Sequence, residues 1–168
     1  MSLNKFYKYD KNINGDKMKV KEIMNTNIIV SNKNEKVWEV AQKMKEYNIG
    51  FLPIIDNSKV IGVITDRDIV ITSVSNNNDK NKSIENYINK NVISIDWEND
   101  INEALKLMAD NQVKRLIVVN NNKVVGIISL ADILTTNFHD KTLETIKSIW
   151  KIKYNEKMKD AEIDDIYL

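Results

Sequence analysis

One stretch of this chain recurs almost unaltered further along. Residues 60–69 (Val-Ile-Gly-Val-Ile-Thr-Asp-Arg-Asp-Ile) return as residues 124–133 (Val-Val-Gly-Ile-Ile-Ser-Leu-Ala-Asp-Ile), an offset of 126 − 62 = 64 positions. Without a gap, the same offset relates Asn27 to Asn91, Ile29 to Ile93, Glu39 to Glu103, Met44 to Met108, Lys59 to Lys123 and Thr72 to Thr136. An internal repeat constrains a fold more than any single motif does. It calls for two copies of one supersecondary unit, expected about a pseudo-two-fold axis, and for two similar sites. With 168 residues in all, each copy is near the size at which burial becomes marginal, so the copies are expected to fold together.

Within each copy the apolar spacing reads β-α-β-β-α, an α+β unit with a small sheet. In the first copy Ile28-Ile29-Val30 is a short β-branched run, and the polar residues from Ser31 to Asn34 are expected to cap a helix. Val37, Val40, Ala41 and Met44 then follow at the spacing of one helical face. The helix is expected to stop near Asn48-Ile49-Gly50, with Gly50 taking positive φ. Residues 51–55 and 60–64 read as a hairpin, and a helix follows from Thr65 toward Val74. The second copy repeats the order: Val92 to Ile95, a helical face at Ile101, Ala104, Leu105 and Met108, a hairpin around Asn120-Asn121-Asn122, and a helix from Ser129 to Phe138. The division is a polar arm at 1–17, repeat 1 at 18–75, a linker at 76–82, repeat 2 at 83–138 and a helical tail at 139–168. In the tail, Leu143, Ile146, Trp150, Tyr154 and Met158 share one face, suited to packing on the domain or to a partner.

Composition removes several function classes. The net charge of +1 provides no field for nucleic acid or membrane, and no helix-turn-helix with basic clustering is visible. No apolar run approaches membrane-span length. There is no cysteine and a single histidine, His139, at the end of an expected helix, so no nucleophile set or metal cluster can be assembled. The expectation is a non-enzymatic, soluble, cytoplasmic protein.

The chemistry-bearing signal is Gly-φ-φ-Thr-x-x-Asp from Gly62 to Asp68 and Gly-φ-φ-Ser-x-x-Asp from Gly126 to Asp132, where φ is apolar. Its plain reading is a helix capping box. The same geometry also suits a nucleoside: N–H groups at a helix start attract an anion, and a carboxylate there can take two vicinal hydroxyls.

Residues 20–137 resemble a tandem pair of cystathionine-β-synthase (CBS) domains. The resemblance rests on Glu22-Ile23-Met24 before Ile28-Ile29-Val30, on Asn48 to Ile55, and on the Gly62-to-Asp68 motif, with the frame repeated in the second copy. It implies a regulatory sensor that binds AMP, ADP, ATP or S-adenosylmethionine in clefts between the copies, a homodimer, and a downstream protein target that the sequence does not name. By carry-over, Asp68 and Asp132 would hold ribose, and Thr65 and Ser129 ribose or phosphate. Ile28, Ile29, Ile49, Phe51 and Pro53 would surround adenine in one site, and Val92, Ile93, Val113 and Ile117 in the other. Arg67, Lys114 and Arg115 would face phosphate. Arg67 becomes Ala131, Gly50-Phe51 become Lys114-Arg115 and Pro53 becomes Ile117, so the sites are expected to be unequal. Phe51 would stack on adenine or block the cleft. The competing reading is a ligand-free dimerisation or scaffold module.

Overall fold

In the computed structural model, which describes residues 18–57, 59–74, 80–136 and Ile146, the elements in chain order are α1 (Val20–Ile23), β1 (Ser31–Asn32), α2 (Val37–Tyr47), β2 (Phe51–Asp56), β3 (Lys59–Thr65), α3 (Asp66–Asp68), β4 (Ser94–Asp96), α4 (Ile101–Asn111), β5 (Arg115–Asn120), β6 (Lys123–Ser129) and α5 (Leu130–Leu134). A π-helical stretch, Ile69–Val74, continues α3, and a 3-10 turn spans Ile84–Tyr87. Two separate three-stranded sheets form, ordered β1-β2-β3 and β4-β5-β6. In each, the outer strand runs parallel to the centre and the hairpin is antiparallel. The fold is therefore α+β with a β-α-β-β-α unit in each copy. The arm, most of the linker, His139 and all of the tail except Ile146 lie outside the described residues.

Packing follows the repeat closely. Val37, Val40 and Met44 are buried in one copy, and Ile101, Ala104, Leu105 and Met108 in the other. The central strands carry three consecutive buried residues, Leu52-Pro53-Ile54 and Leu116-Ile117-Val118, because both faces of a middle strand are covered. Asn121 and Asn122 both take positive φ, 48° and 61°, which gives a tight turn whose twist matches the hairpin.

Four expectations need correction. The first strand is not Ile28 to Val30 but Ser31–Asn32, so Ser31 is a strand residue rather than part of a cap. Pro53 has no N–H to give the neighbouring strand, which delays pairing by one residue relative to the second copy. There the Ile117 N–H reaches the Ile93 carbonyl at 3.1 Å. Residues 92 and 93 likewise lie ahead of the β4 strand, Ser94–Asp96. The left-handed residue that ends α2 is Asn48, φ 52°, not Gly50, and Gln112 does the same for α4 at φ 54°. Ala41 is exposed, whereas its equivalent Leu105 is buried.

The compact units differ in make-up from the sequence copies. Unit 1 combines 1–26 with 93–168, and unit 2 is the continuous run 27–92. In unit 1, the lead-in segment of the first copy packs on the second copy's elements. Val20 N–H donates to Asn99 O, Lys21 N–H to Trp97 O and Ile101 N–H to Met18 O, while Asn25 and Ile127 exchange backbone bonds of 2.8 and 2.9 Å. In unit 2, the corresponding lead-in packs on the first copy: Ile84 N–H donates to Glu35 O, and Asn89 and Val63 exchange two bonds of 2.9 Å. Asn25 + 64 is Asn89 and Val63 + 64 is Ile127, so the two arrangements are equivalent. Val20 and Ile84, both with no exposed surface, are the apolar plugs. Ile146 also packs against the unit 1 core.

The motif glycines acquire a structural reason from this arrangement. A Cβ at Gly62 would overlap Ile88 Cγ2 and stand 2.7 Å from the Asn89 carbonyl oxygen. A Cβ at Gly126 would stand 2.7 Å from Met24 Sδ and 3.0 Å from Asn25 O. Glycine is present at both positions because a second main chain runs directly over β3 and β6.

Candidate functional site

Unit 2 places Thr65 at the end of β3, where its side chain begins α3. Thr65 Oγ1 accepts from the Asp68 N–H at 3.1 Å, and Asp68 Oδ2 accepts from the Thr65 N–H at 2.9 Å and from its hydroxyl at 2.7 Å. In unit 1, Ser129 Oγ accepts from the Asp132 N–H at 3.2 Å, and Asp132 Oδ2 accepts from the Ser129 N–H and hydroxyl at 2.7 and 2.6 Å. Both motifs are thus closed capping boxes. All four residues are only half-buried, so each cap is reachable from solvent.

Strand register gathers further candidates beside each cap. Phe51 pairs with Thr65 and Pro53 with Val63. Arg115 pairs with Ser129 and Ile117 with Ile127. Side chains alternate along a strand, so Phe51, Pro53 and Thr65 share the sheet face opposite Leu52, Ile54 and Ile64, which enter the core. Arg115, Ile117 and Ser129 share the matching face in unit 1. Phe51 is half-buried, Arg115 exposed, and Pro53 and Ile117 buried.

Other candidates are placed differently. Ile29 and Ile49 are partly buried and pack against the unit 2 core, and Ile93 and Val113 are partly buried against that of unit 1. Ile28 is half-buried. Val92 is the last residue of unit 2 while Ile93 belongs to unit 1, so this pair falls on different units. Arg67 and Lys114 are exposed. Each helix start is tied to the preceding loop: Asp66 N–H donates to Gly50 O at 3.3 Å and Leu130 N–H to Lys114 O at 2.9 Å. Asp66 also lies over Gly50, where a Cβ would meet its carboxylate at 2.6 Å.

Outside the motifs, unit 2 holds a polar cluster. Lys43 Nζ donates to Val30 O at 3.1 Å, to Ser31 Oγ at 2.9 Å and to the Glu35 carboxylate at 3.0 and 2.8 Å. Glu35 also accepts from the Asn32 N–H and the Ser31 hydroxyl. Burial alone would push the Glu35 carboxyl up, but the Lys43 hydrogen bond, the Asn32 N–H, the Lys43 charge and Ser31 together hold it below the ordinary glutamate range. The readable signal was a difference between copies, since Ser31, Glu35 and Lys43 become Ile95, Asn99 and Leu107.

Comparison with known proteins identifies the family. A CBS domain model matches residues 20–74 and 84–137. The chain belongs to the CBS domain family. An uncharacterised 17.7 kDa protein from Acidianus ambivalens is 33% identical over 137 residues, covering 80% of this chain and 82% of that protein. Inosine-5′-monophosphate dehydrogenase of Methanocaldococcus jannaschii is 35% identical over 118 residues, 69% of this chain but only 23% of the enzyme. Among solved structures, the CBS domain pair of protein MJ0100, in complex with 5′-methylthioadenosine and S-adenosyl-L-methionine, matches at 29% identity with a TM-score of 0.65, covering 71% of this chain and 94% of that one. Among the described residues no group of three His, Cys, Asp or Glu is placed to hold a metal ion, and no helix is long and apolar enough to cross a membrane.

Proposed function

We propose that this CBS chain is a non-catalytic regulatory module whose ligand carries an adenosyl group: AMP, ADP, ATP, methylthioadenosine or S-adenosylmethionine. The observation that carries the reading is the presence, in both units, of a hydroxyl and a carboxylate at a solvent-reachable strand end beside the Phe51 or Arg115 position. The adenosyl ligands of the related MJ0100 pair support it. A carboxylate of this kind can exchange its internal donors for two ribose hydroxyls, with Asp68 and Asp132 as the acceptors. Arg67 in unit 2 and Lys114 and Arg115 in unit 1 are the phosphate-facing cations of this reading. The module would act in the cytoplasm as a homodimer upon a partner protein, without nucleic acid or membrane.

Thermal denaturation with each ligand at millimolar concentration tests the proposal. Ligand at a hundred times its dissociation constant adds about 2.7 kcal/mol, on the order of 5–10 °C for a chain of this size. Closed capping boxes favour a second reading, a ligand-free scaffold that dimerises. Absence of any shift, with a light-scattering mass near twice 19.5 kDa, would select it.

A further inference from the structure

The two caps stand in unlike fields of charge. In unit 2 the strand pair Phe51–Thr65 ends beside Asp66, an exposed residue whose carboxylate leans across Gly50, 2.6 Å from where a Cβ would stand. That carboxylate also accepts the Arg67 main-chain N–H at 2.7 Å, which keeps it at the cap. In unit 1 the strand pair Arg115–Ser129 ends beside Leu130, which is buried and carries no charge. Its N–H donates to Lys114 O at 2.9 Å, so Lys114 takes the place that Gly50 has in unit 2. The repeat offset relates positions 50, 51, 66, 67 and 68 to 114, 115, 130, 131 and 132. The first set holds Asp66 and Asp68 against Arg67, an excess of one negative charge. The second holds Lys114 and Arg115 against Asp132, an excess of one positive charge.

We propose that Asp66 in unit 2 and the Lys114–Arg115 pair in unit 1 sort ligands by the charge at the 5′ end of the adenosyl group, unit 2 taking a sulfonium cation and unit 1 a phosphate anion. The proposal rests on the adenosyl-ligand reading. A ribose held by Asp68 or Asp132 through its 2′ and 3′ hydroxyls carries its 5′ substituent within one sugar's width of the cap. A charge there interacts with the local excess through space, without a direct hydrogen bond. The unit 2 capping box closes through Thr65 and Asp68 alone. Asp66 is therefore free to set selectivity without carrying the cap.

Calorimetry with paired ligands tests the proposal. S-adenosylmethionine and S-adenosylhomocysteine differ by the sulfonium charge and its methyl group, and AMP and adenosine differ by the phosphate. Asp132→Asn weakens unit 1 and so reports unit 2, and Asp68→Asn does the reverse. Unit 2 should prefer the sulfonium over its thioether about tenfold, equivalent to about 1.4 kcal/mol. Unit 1 should prefer AMP over adenosine by a similar factor. Asp66→Leu should bring the first ratio near unity, Asp66→Glu should keep it, and Arg115→Phe should lower the second. Raising salt to about 0.5 M should shrink both preferences, because screening weakens charge but not shape. A folded Asp66→Leu chain with the parent's ratio, preferences that salt leaves unchanged, or two units with the same preference would overturn the proposal. If none of the four ligands binds the unaltered chain, the adenosyl reading itself fails, a result separate from equal preferences.

Discussion

Replacing each motif glycine by alanine should affect the two units unequally. At Gly62 the new Cβ would overlap the branched Ile88 side chain and press on the Asn89 carbonyl at 2.7 Å. That carbonyl is main chain, already bonded to the Val63 N–H at 2.9 Å, and cannot rotate away. Overpacking of this kind costs about 1–3 kcal/mol, and weakening the two Val63–Asn89 bonds adds about 1 kcal/mol. The stiffer unfolded chain returns roughly 0.4–1 kcal/mol, which leaves a net loss of about 2 kcal/mol. At Gly126 the closest atom is the thioether of Met24 at 2.7 Å, a flexible side chain, and the carbonyl is at 3.0 Å. Met24 can swing aside, so the net loss should be about 1 kcal/mol or less after the same unfolded-state gain. Urea denaturation followed by circular dichroism would measure both losses, and hydrogen exchange at Val63 and Asn89 would localise the first. Equal losses, or a larger loss at Gly126, would refute the claim that the lead-in main chain is what demands glycine.

Further outcomes are expected. Asp68→Asn keeps an acceptor for the Thr65 N–H but loses the charge, so ligand-free stability should drop by about 1 kcal/mol. Adenosyl affinity at unit 2 should fall by roughly 1.5–3 kcal/mol, the scale of a hydrogen bond to a charged group; unchanged affinity by calorimetry would leave Asp68 as a cap alone. The Glu35 carboxyl is held low in the folded chain, so its stabilisation is present above about 4.5, the ordinary value, and lost as pH falls through the lowered folded value. Glu98, held low by its hydrogen bonds to Lys19 and Lys21, acts in the same direction. Melting temperature should therefore decline on acidification below that range, and Glu35→Gln should flatten part of the slope. Removing residues 1–26 should strip Val20 from the core of unit 1 and raise hydrogen exchange across 93–136 more than across 27–92; the reverse pattern would contradict the segment exchange.

Local patterns were legible because local physics produces them. The faces of α2 and α4, the two hairpins and the Thr65–Asp68 and Ser129–Asp132 caps all arise from residues within about a turn of one another. The start of β1 departs from the apolar run because its pairing is set by Pro53, more than twenty residues away in sequence. Ala41 matched the helical period, but period alone does not say how wide the covered stripe is, and a methyl group is cheaply left in water. Asn48 rather than Gly50 takes the left-handed turn because asparagine tolerates that region. The exchange of lead-in segments left no local trace, since any repeat can pack with its own lead-in or with the other's. The site followed the same division. Motif residues were visible, while Ile29, Ile49, Ile93 and Val113, which the CBS resemblance makes walls for adenine, are partly buried and pack against the cores. Lys43 lies outside the motif altogether, visible only as a difference between copies.

The unequal make-up of the two units also sets an order of events in the life of the chain. Unit 2 is one uninterrupted run and needs nothing that emerges later from synthesis than residue 92. Unit 1 holds its first strip of main chain, 18–26, in waiting until β6 exists to receive Asn25. Closing that contact loops out the whole of unit 2, a cost that rises with loop length but shrinks once the loop is already folded and its ends are fixed. Folding of unit 2 first would therefore lower the cost of closing unit 1. A circular permutant that opens the chain within residues 75–79 and joins the old ends would make the second copy, with its borrowed lead-in, the uninterrupted run. Pulse-labelled refolding of the two forms should show the order of protection exchanged between the units.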